Sequence, residues 1–390
     1  MNPSRGTTRW AHLAAAILAL SLAPACGSGE EPTAASAAPD ESTTTELPTS
    51  TTAATEATGT SVPDGEDDHG HGLSGEVDIT DTILTNTSAD CGDYDVTLTA
   101  SVNDITRQIM FDSGVTLTAG ADSCSLASNN IPNHDFNDET ADFATDVAEV
   151  PRAFTIIRNP ERAAAPTPLE QQTYDGVLLN GVVIDLLSAG CYRPDGQGAD
   201  ADGNVAIGCS ADDPWLTNPL GTDHLFGADA HNAHTQPDGT YHYHGNPLAL
   251  FDDNPGPDGS PLIGFAADGF PIFGSYFVDP ETGEVRKAVS GYELRDGDRP
   301  AGDANPPGAY DGTYYDDYEF TGSGDLDECN GMEVDGQYGY YVTDEYPYLM
   351  FCLSGTPDPS FGKGQGAAGG APAGNGPPLP PSQPPREQPR

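Results

Sequence analysis

Tyr241-His242-Tyr243-His244 alternates two side chains with different chemical uses. Asp238-Gly239-Thr240 precedes the segment and Gly245-Asn246-Pro247 follows it, so it reads as a short strand leaving a turn. Successive side chains of a strand point to opposite faces, which places both imidazoles on one face and both phenols on the other. The two histidines then stand about 7 Å apart at Cα, and their rings can converge on one ion. Neutral imidazole suits zinc, copper, nickel or iron at roughly 2 Å. Two ligands make a weak site, so others must join them. His231 and His234 are candidates, because the Gln236-Pro237-Asp238-Gly239 turn can fold them back beside the strand. Five of the nine histidines fall between positions 224 and 244, with Asp229 among them and Asp223 just before. His134 lies far away in sequence, on a loop that Pro132 stiffens and can carry into the same cleft. The competing reading is that these imidazoles hydrogen-bond inside a polar core.

Other chemistry is weakly represented. Asp200, Asp202 and Asn204 alternate as in a calcium loop, but Val205 and Ala211 stand where that pattern needs Gly and Glu. Asp252-Asp253-Asn254 and Asp325-Leu326-Asp327-Glu328 are similar acidic turns that could take calcium, and solvated turns are the simpler reading. No phosphate-binding loop, dinucleotide fingerprint, nucleophile elbow or metalloprotease helix occurs.

The chain has 61 acidic and 14 basic residues, a formal charge of -47. That balance excludes a nucleic-acid partner and direct electrostatic binding to anionic lipid. It also favours a soluble, self-repelling surface and a monomer.

The N-terminus reads as a targeting segment over residues 1–26. Arg5 and Arg9 precede an apolar run from Leu13 to Leu22, followed by Leu22-Ala23-Pro24-Ala25-Cys26. This resembles a bacterial lipoprotein signal in which Cys26 becomes the lipid-bearing first residue, so contact with a membrane is expected only through that lipid. Cell-envelope attachment on the outer face, or secretion, follows. Six cysteines remain, an even number that implies disulfides in an exported protein. The nearest-neighbour pairing, Cys91–Cys124, Cys191–Cys209 and Cys329–Cys352, closes the smallest loops and is the expected set.

Residues 27–75 are rich in Thr, Ala, Ser, Pro and Glu and lack aromatic side chains, the composition of a disordered tether. His69 and His71 sit near its end. Residues 356–390 are rich in Gly, Pro and Ala and read as a disordered tail. Residues 76–355 are left as one folded domain. Short apolar segments such as 95–99, 153–157, 176–184 and 262–265 recur between turn signals, with brief helices expected after Glu139 and over 210–226. The expectation is a mostly β, disulfide-pinned sandwich or barrel-like domain with long loops. A faint repeat is present: Asp335-Gly336-Gln337-Tyr338-Gly339-Tyr340-Tyr341 echoes Asp238-Gly239-Thr240-Tyr241-His242-Tyr243-His244.

Over residues 88–355 the chain resembles the YHYH family, known largely from exported bacterial proteins. The resemblance rests on Ser128 to His134, Leu179-Asn180-Gly181-Val182, Asp229-Ala230-His231-Asn232-Ala233-His234, and Gly239 to His244. It continues through Gly264 to Gly274, Leu326 to Gly331 and Tyr346-Pro347-Tyr348. It implies no particular activity. Gly339 stands where many relatives carry a histidine. Within these motifs Asp268, Asp327 and Asn330 are candidates for polar groups that orient a ligating imidazole.

The sequence therefore points first to a cell-envelope lipoprotein binding a divalent transition metal, zinc or copper, through His242, His244, His231, His234 and His134. Two alternatives stand beside it. One is a metal-dependent hydrolase with an open coordination position. The other is a metal-free module in which Tyr241, Tyr243, Tyr340 and Tyr341 stack on a carbohydrate or peptide. The small-molecule or surface ligand is not specified.

Overall fold

The computed structural model describes residues 75–221, 227–364 and 386–387. The expected signal segment with Cys26, most of the tether, His69, His71, Asp223 and His224 lie outside the described residues. Among the described residues the structure is mostly β, and its helices are single 3-10 turns. The brief helices expected after Glu139 and over 210–226 are turns and extended segments where described.

Among the described residues two large sheets build the domain, with four two-stranded ribbons beside them. The first runs β1 (Glu76–Asp78), β2 (Thr97–Asp104), β3 (Ile109–Ala119), β4 (Ser123–Ser128) and β5 (Arg152–Ile157), in that order, with the backbone of residues 386–387 pairing β3. Alternation sends Leu98, Ala100 and Val102 of β2 inward while the intervening residues meet solvent. The second sheet contains β6 (Gly176–Leu178), β7 (Val183–Ile184), β8 (Ala233–Thr235), β9 (Tyr241–Tyr243), β10 (Leu262–Ala266), β11 (Pro271–Phe273), β12 (Gly331–Val334) and β13 (Gln337–Tyr341). Its spatial order is β8-β9-β7-β6-β10-β11-β13-β12. The four central strands are buried at every position, which explains their unbroken apolar sequences: both faces are covered. Residues of both sheets join one apolar cluster, including Val115, Leu126 and Ile156 of the first and Val177, Ile184 and Ile272 of the second.

The faint repeat is the trace of a duplicated unit. In each half a hairpin (β6–β7 or β10–β11) lies beside a second hairpin (β8–β9 or β12–β13), through the parallel pairs β7·β9 and β11·β13. The local bonding follows the same plan in both halves. Asp229 accepts from Tyr241 Oη and from the backbone of His231 and Ala233; Asp327 accepts from Tyr338 Oη and from the backbone of Cys329 and Gly331. Asn232 and Asn330 both adopt positive φ in these turns, at 58° and 63°. Asn180 bonds Tyr243 Oη and Asp268 bonds Tyr340 Oη, each from the turn of its half's first hairpin.

The three disulfides are Cys91–Cys124, Cys191–Cys209 and Cys329–Cys352, the nearest-neighbour set. The chain stays packed beyond residue 355, where the tail was expected to begin. Asp358 caps a 3-10 turn at Pro359–Phe361, Phe361 is fully buried and stacks on Phe154, and Gly362 bridges Thr173. An aromatic anchor sits inside a segment whose average composition reads as tail.

Gly181 makes the first hairpin turn possible. Its φ is 83°, and an added Cβ would lie 2.6 Å from both Ser128 Cβ and Val115 Cγ2. Gly336 has a similar φ of 82° but open space around it. Gly181→Ala should destabilise the domain by about 2 kcal/mol or more, and Gly336→Ala by only about 1 kcal/mol. Equal shifts in chemical denaturation would show that crowding between the sheets is unimportant.

Candidate metal centre

The register of the β8–β9 hairpin sets His234 directly opposite His242. Alternation along β9 adds His244 on the same face. The three ring centroids form a near-equilateral triangle with sides of 4.6, 4.7 and 4.8 Å. One ring nitrogen from each lies within 4.8 Å of the other two, and His244 Nε2 and His234 Nε2 are 3.0 Å apart. Nitrogens sharing a tetrahedral ion at about 2.05 Å lie roughly 3.4 Å from one another, so small side-chain rotations suffice to bind one. Among the described residues this is the only group of three or more ligating side chains so placed.

The outer nitrogens are anchored by the backbone. His242 Nδ1 meets the Thr240 carbonyl and His244 Nδ1 meets the Leu186 carbonyl, each at 3.3 Å. A carbonyl can only accept, so Nδ1 carries the proton and the Nε2 lone pair is left for an ion. His242 and His244 are 3 % and 2 % exposed. Burial, followed by the neighbouring imidazoles, holds the pKa of both well below the ordinary histidine value. They are neutral imidazoles at pH 7. Half-buried His234 opens the group to a cleft of about 1370 Å³.

The other predicted ligands go elsewhere. His231 precedes the left-handed turn at Asn232, and its Nδ1 bonds the Pro247 carbonyl at 2.7 Å. It stacks on His134 with ring centroids 3.6 Å apart. His134 Nε2 accepts from Tyr243 Oη at 2.6 Å, so this pair adjoins the tyrosine face of β9 and is absent from the three-histidine group. The cluster divides because the turn at Asn232 reverses the chain between His231 and His234.

Asp268, Asp327 and Asn330 do not stand behind the imidazoles. Asp268 accepts from Tyr340 Oη and the Gly355 amide, Asp327 from Tyr338, and Asn330 donates to the Tyr341 carbonyl. β9 and β11 are four strands apart, roughly 19 Å along the sheet. Tyr241, Tyr243, Tyr340 and Tyr341 are no stacking platform either: the first three have no exposed surface and Tyr341 is 6 % exposed. The acidic turns bond internally or to cations. Asp200 Oδ1 accepts from the Asp202 and Asn204 amides, Asp252 from the Asn254 amide, and Asp325 pairs with Arg286.

Sequence reasoning missed Asp185, Gln236 and Lys363, which line the same cleft as the histidines. Asp185 continues β7, its amide bonding the Tyr243 carbonyl, so alternation puts its side chain on the histidine face. Lys363 Nζ pairs with Asp185 Oδ2 at 2.6 Å, and Gln236 Nε2 donates to the same oxygen. Burial raises the Asp185 pKa, and the lysine opposes that rise. Next to it, burial and the Asp185 charge hold Asp175 well above the usual carboxylate range. The available signals were an acid ending the apolar run Val182-Val183-Ile184 and one of only two lysines in the chain.

A family model described as "YHYH protein" matches residues 153–355, and the chain belongs to that family. No curated protein and no solved structure matches the chain. No helix among the described residues is long and apolar enough to cross a membrane.

The stacked pair generates a pH prediction. Burial first, then the His231 charge, lowers the His134 pKa to about 3. The unfolded chain therefore binds a proton at this position near pH 6.5, while the folded chain resists it until about pH 3. Stability from this group is full above pH 6.5 and is lost as pH falls through that window, by up to about 5 kcal/mol. Denaturation curves should show a shallower acid loss for His134→Gln than for the wild type. Identical pH dependence would refute the assignment.

Proposed function

We propose that this YHYH-family chain is an exported protein that binds one divalent transition metal through His234, His242 and His244. The observation that carries the reading is the triangle of three ring nitrogens, with the outer nitrogens of His242 and His244 turned to backbone carbonyls. That is the arrangement by which proteins fix the tautomer of a ligating imidazole. An all-nitrogen, uncharged donor set suits zinc or copper and is poorly matched to calcium or magnesium. Three protein ligands opening on a cleft leave room for an exogenous fourth ligand, unlike the closed shell of a structural zinc. Three disulfides support an oxidising compartment. Lipid attachment at Cys26 would tie the domain to the membrane surface.

Elemental analysis and calorimetric titration test the metal reading. One zinc or copper per chain is expected, with about 2.7 kcal/mol of added stability at a hundredfold excess of free metal over Kd. His242→Ala and His244→Ala should weaken binding roughly 100-fold or more, whereas His231→Gln should leave it unchanged. Equal losses from His231→Gln would place the site wrongly. Cys26→Ala should move the protein from the membrane fraction to the soluble fraction; unchanged fractionation would remove the lipid anchor.

A further inference from the structure

The duplicated halves provide an internal comparison between scaffold and site. Asp229, Asn232, Tyr241 and Tyr243 have the counterparts Asp327, Asn330, Tyr338 and Tyr340 by register, and Asp229 and Asp327 accept from the phenols of Tyr241 and Tyr338 in the same way. These residues hold the fold in both halves. The histidines do not recur. Register places Met332 at the position of His234, Gly339 at that of His242 and Tyr341 at that of His244. Asp185 changes with them. Pairing of Ile184 beside Tyr243 and of Ile272 beside Tyr340 makes Phe273 its counterpart. Phe273 stacks on Tyr341 with centroids 5.4 Å apart and closes the equivalent space. Buried Asp175 likewise has an apolar counterpart, Ile263, through the pairs Gly176↔Ile184 and Gly264↔Ile272. A carboxylate present only in the half with three histidines belongs to the chemistry of that half.

Its placement is specific. Gln236, two residues beyond His234, and Lys363, from the C-terminal strap, both bond Asp185 Oδ2. The strand that carries Asp185 pairs directly with the strand that carries His242. The carboxylate is thus held on the histidine face from two sides.

We propose that the three-histidine centre is hydrolytic, with Asp185 as the catalytic proton acceptor and an uncharged acyl compound, an ester or amide, as substrate. This inference rests on the metal reading. Water attacks the acyl carbon, forming a C–O bond while the bond to the leaving oxygen or nitrogen breaks. The proton released by the water passes to the Asp185 carboxylate and then to the leaving group, so acid and alcohol or amine are the products. A divalent metal held by His234, His242 and His244 would make the water more acidic and polarise the carbonyl. Leu187, Ala189, Ile207 and Pro219 give the cleft apolar walls for the body of the substrate, and Ile207 is 71 % exposed there. Asp142 and Asp229 also line the cleft, and Lys363 is its only Lys or Arg among the described residues and is already paired with Asp185. Together with a net charge of -47, this disfavours phosphate esters.

The test uses the purified full-length chain loaded with zinc, with metal content measured on every sample. Probes are 4-nitrophenyl esters from acetate to octanoate, 4-nitroacetanilide and bis(4-nitrophenyl) phosphate. Expected are zinc-dependent hydrolysis of an ester or of the anilide, a fall in kcat of roughly 10²–10⁴-fold in Asp185→Asn at unchanged zinc content in protein that still melts above the assay temperature, and partial recovery in Asp185→Glu. Zinc bound at one equivalent without turnover of any ester or the anilide overturns the inference and leaves the metal reading intact. Preference for the phosphodiester, or full activity in well-folded Asp185→Asn, also overturns it. Absence of bound zinc and copper defeats both readings at once. Should Asp185→Asn not fold, the wild-type zinc dependence and the Asp185→Glu rate decide.

Discussion

The pairing of His234 with His242 across the β8–β9 hairpin is the constraint on which the site depends. A slip of one residue would turn His234 to the opposite face and break the triangle. Several interactions prevent that slip. Tyr241 and Tyr243 are locked into the interior on the reverse face, where Tyr241 bonds Asp229 and Tyr243 bonds Asn180 and His134. Asp229 also accepts the backbone amides that open β8, fixing where the strand begins. The tyrosines are therefore the keel of the histidine site, and they face away from any ligand.

The duplication separates what the fold needs from what the site needs. Both halves keep the Asp, Asn and Tyr network, because each hairpin must satisfy the same buried phenols and turn amides. One half fills its open face with Phe273 and Tyr341. The other leaves imidazoles and a carboxylate facing a cleft. Burial has opposite consequences in the two places. It packs an aromatic pair tightly in one, and in the other it keeps His242 and His244 neutral and available as donors.

The edges of the cleft come from distant parts of the chain. The loop closed by Cys191–Cys209 contributes Ile207 and Cys209 to the cleft lining, and the C-terminal strap contributes Lys363. Lys363 reaches Asp185 because Phe361 anchors the strap in the core two residues earlier. The acidic surface imposes a further selection, since a chain with 61 carboxylates repels anions approaching the cleft.

Local rules determined a good deal. Period-two alternation foretold that His242 and His244 share a face, because side-chain direction in a strand depends only on position. Cysteine parity and spacing foretold the three disulfides, and the scarcity of helical periodicity foretold a mostly β fold. Tertiary structure decided the remainder. His231 and His234 look equivalent in sequence, yet the left-handed turn at Asn232 sends one to stack on His134 and the other to the cluster. Asp268 and Asp327 look like site carboxylates, yet strand order carries them to the second half. Asp185 and Lys363 carry no local signal that joins them, and only the parallel pairing of β7 with β9 and the docking of Phe361 bring them beside the histidines. Spacing along one strand is a local property of the backbone, whereas convergence of separate segments depends on which strands become neighbours.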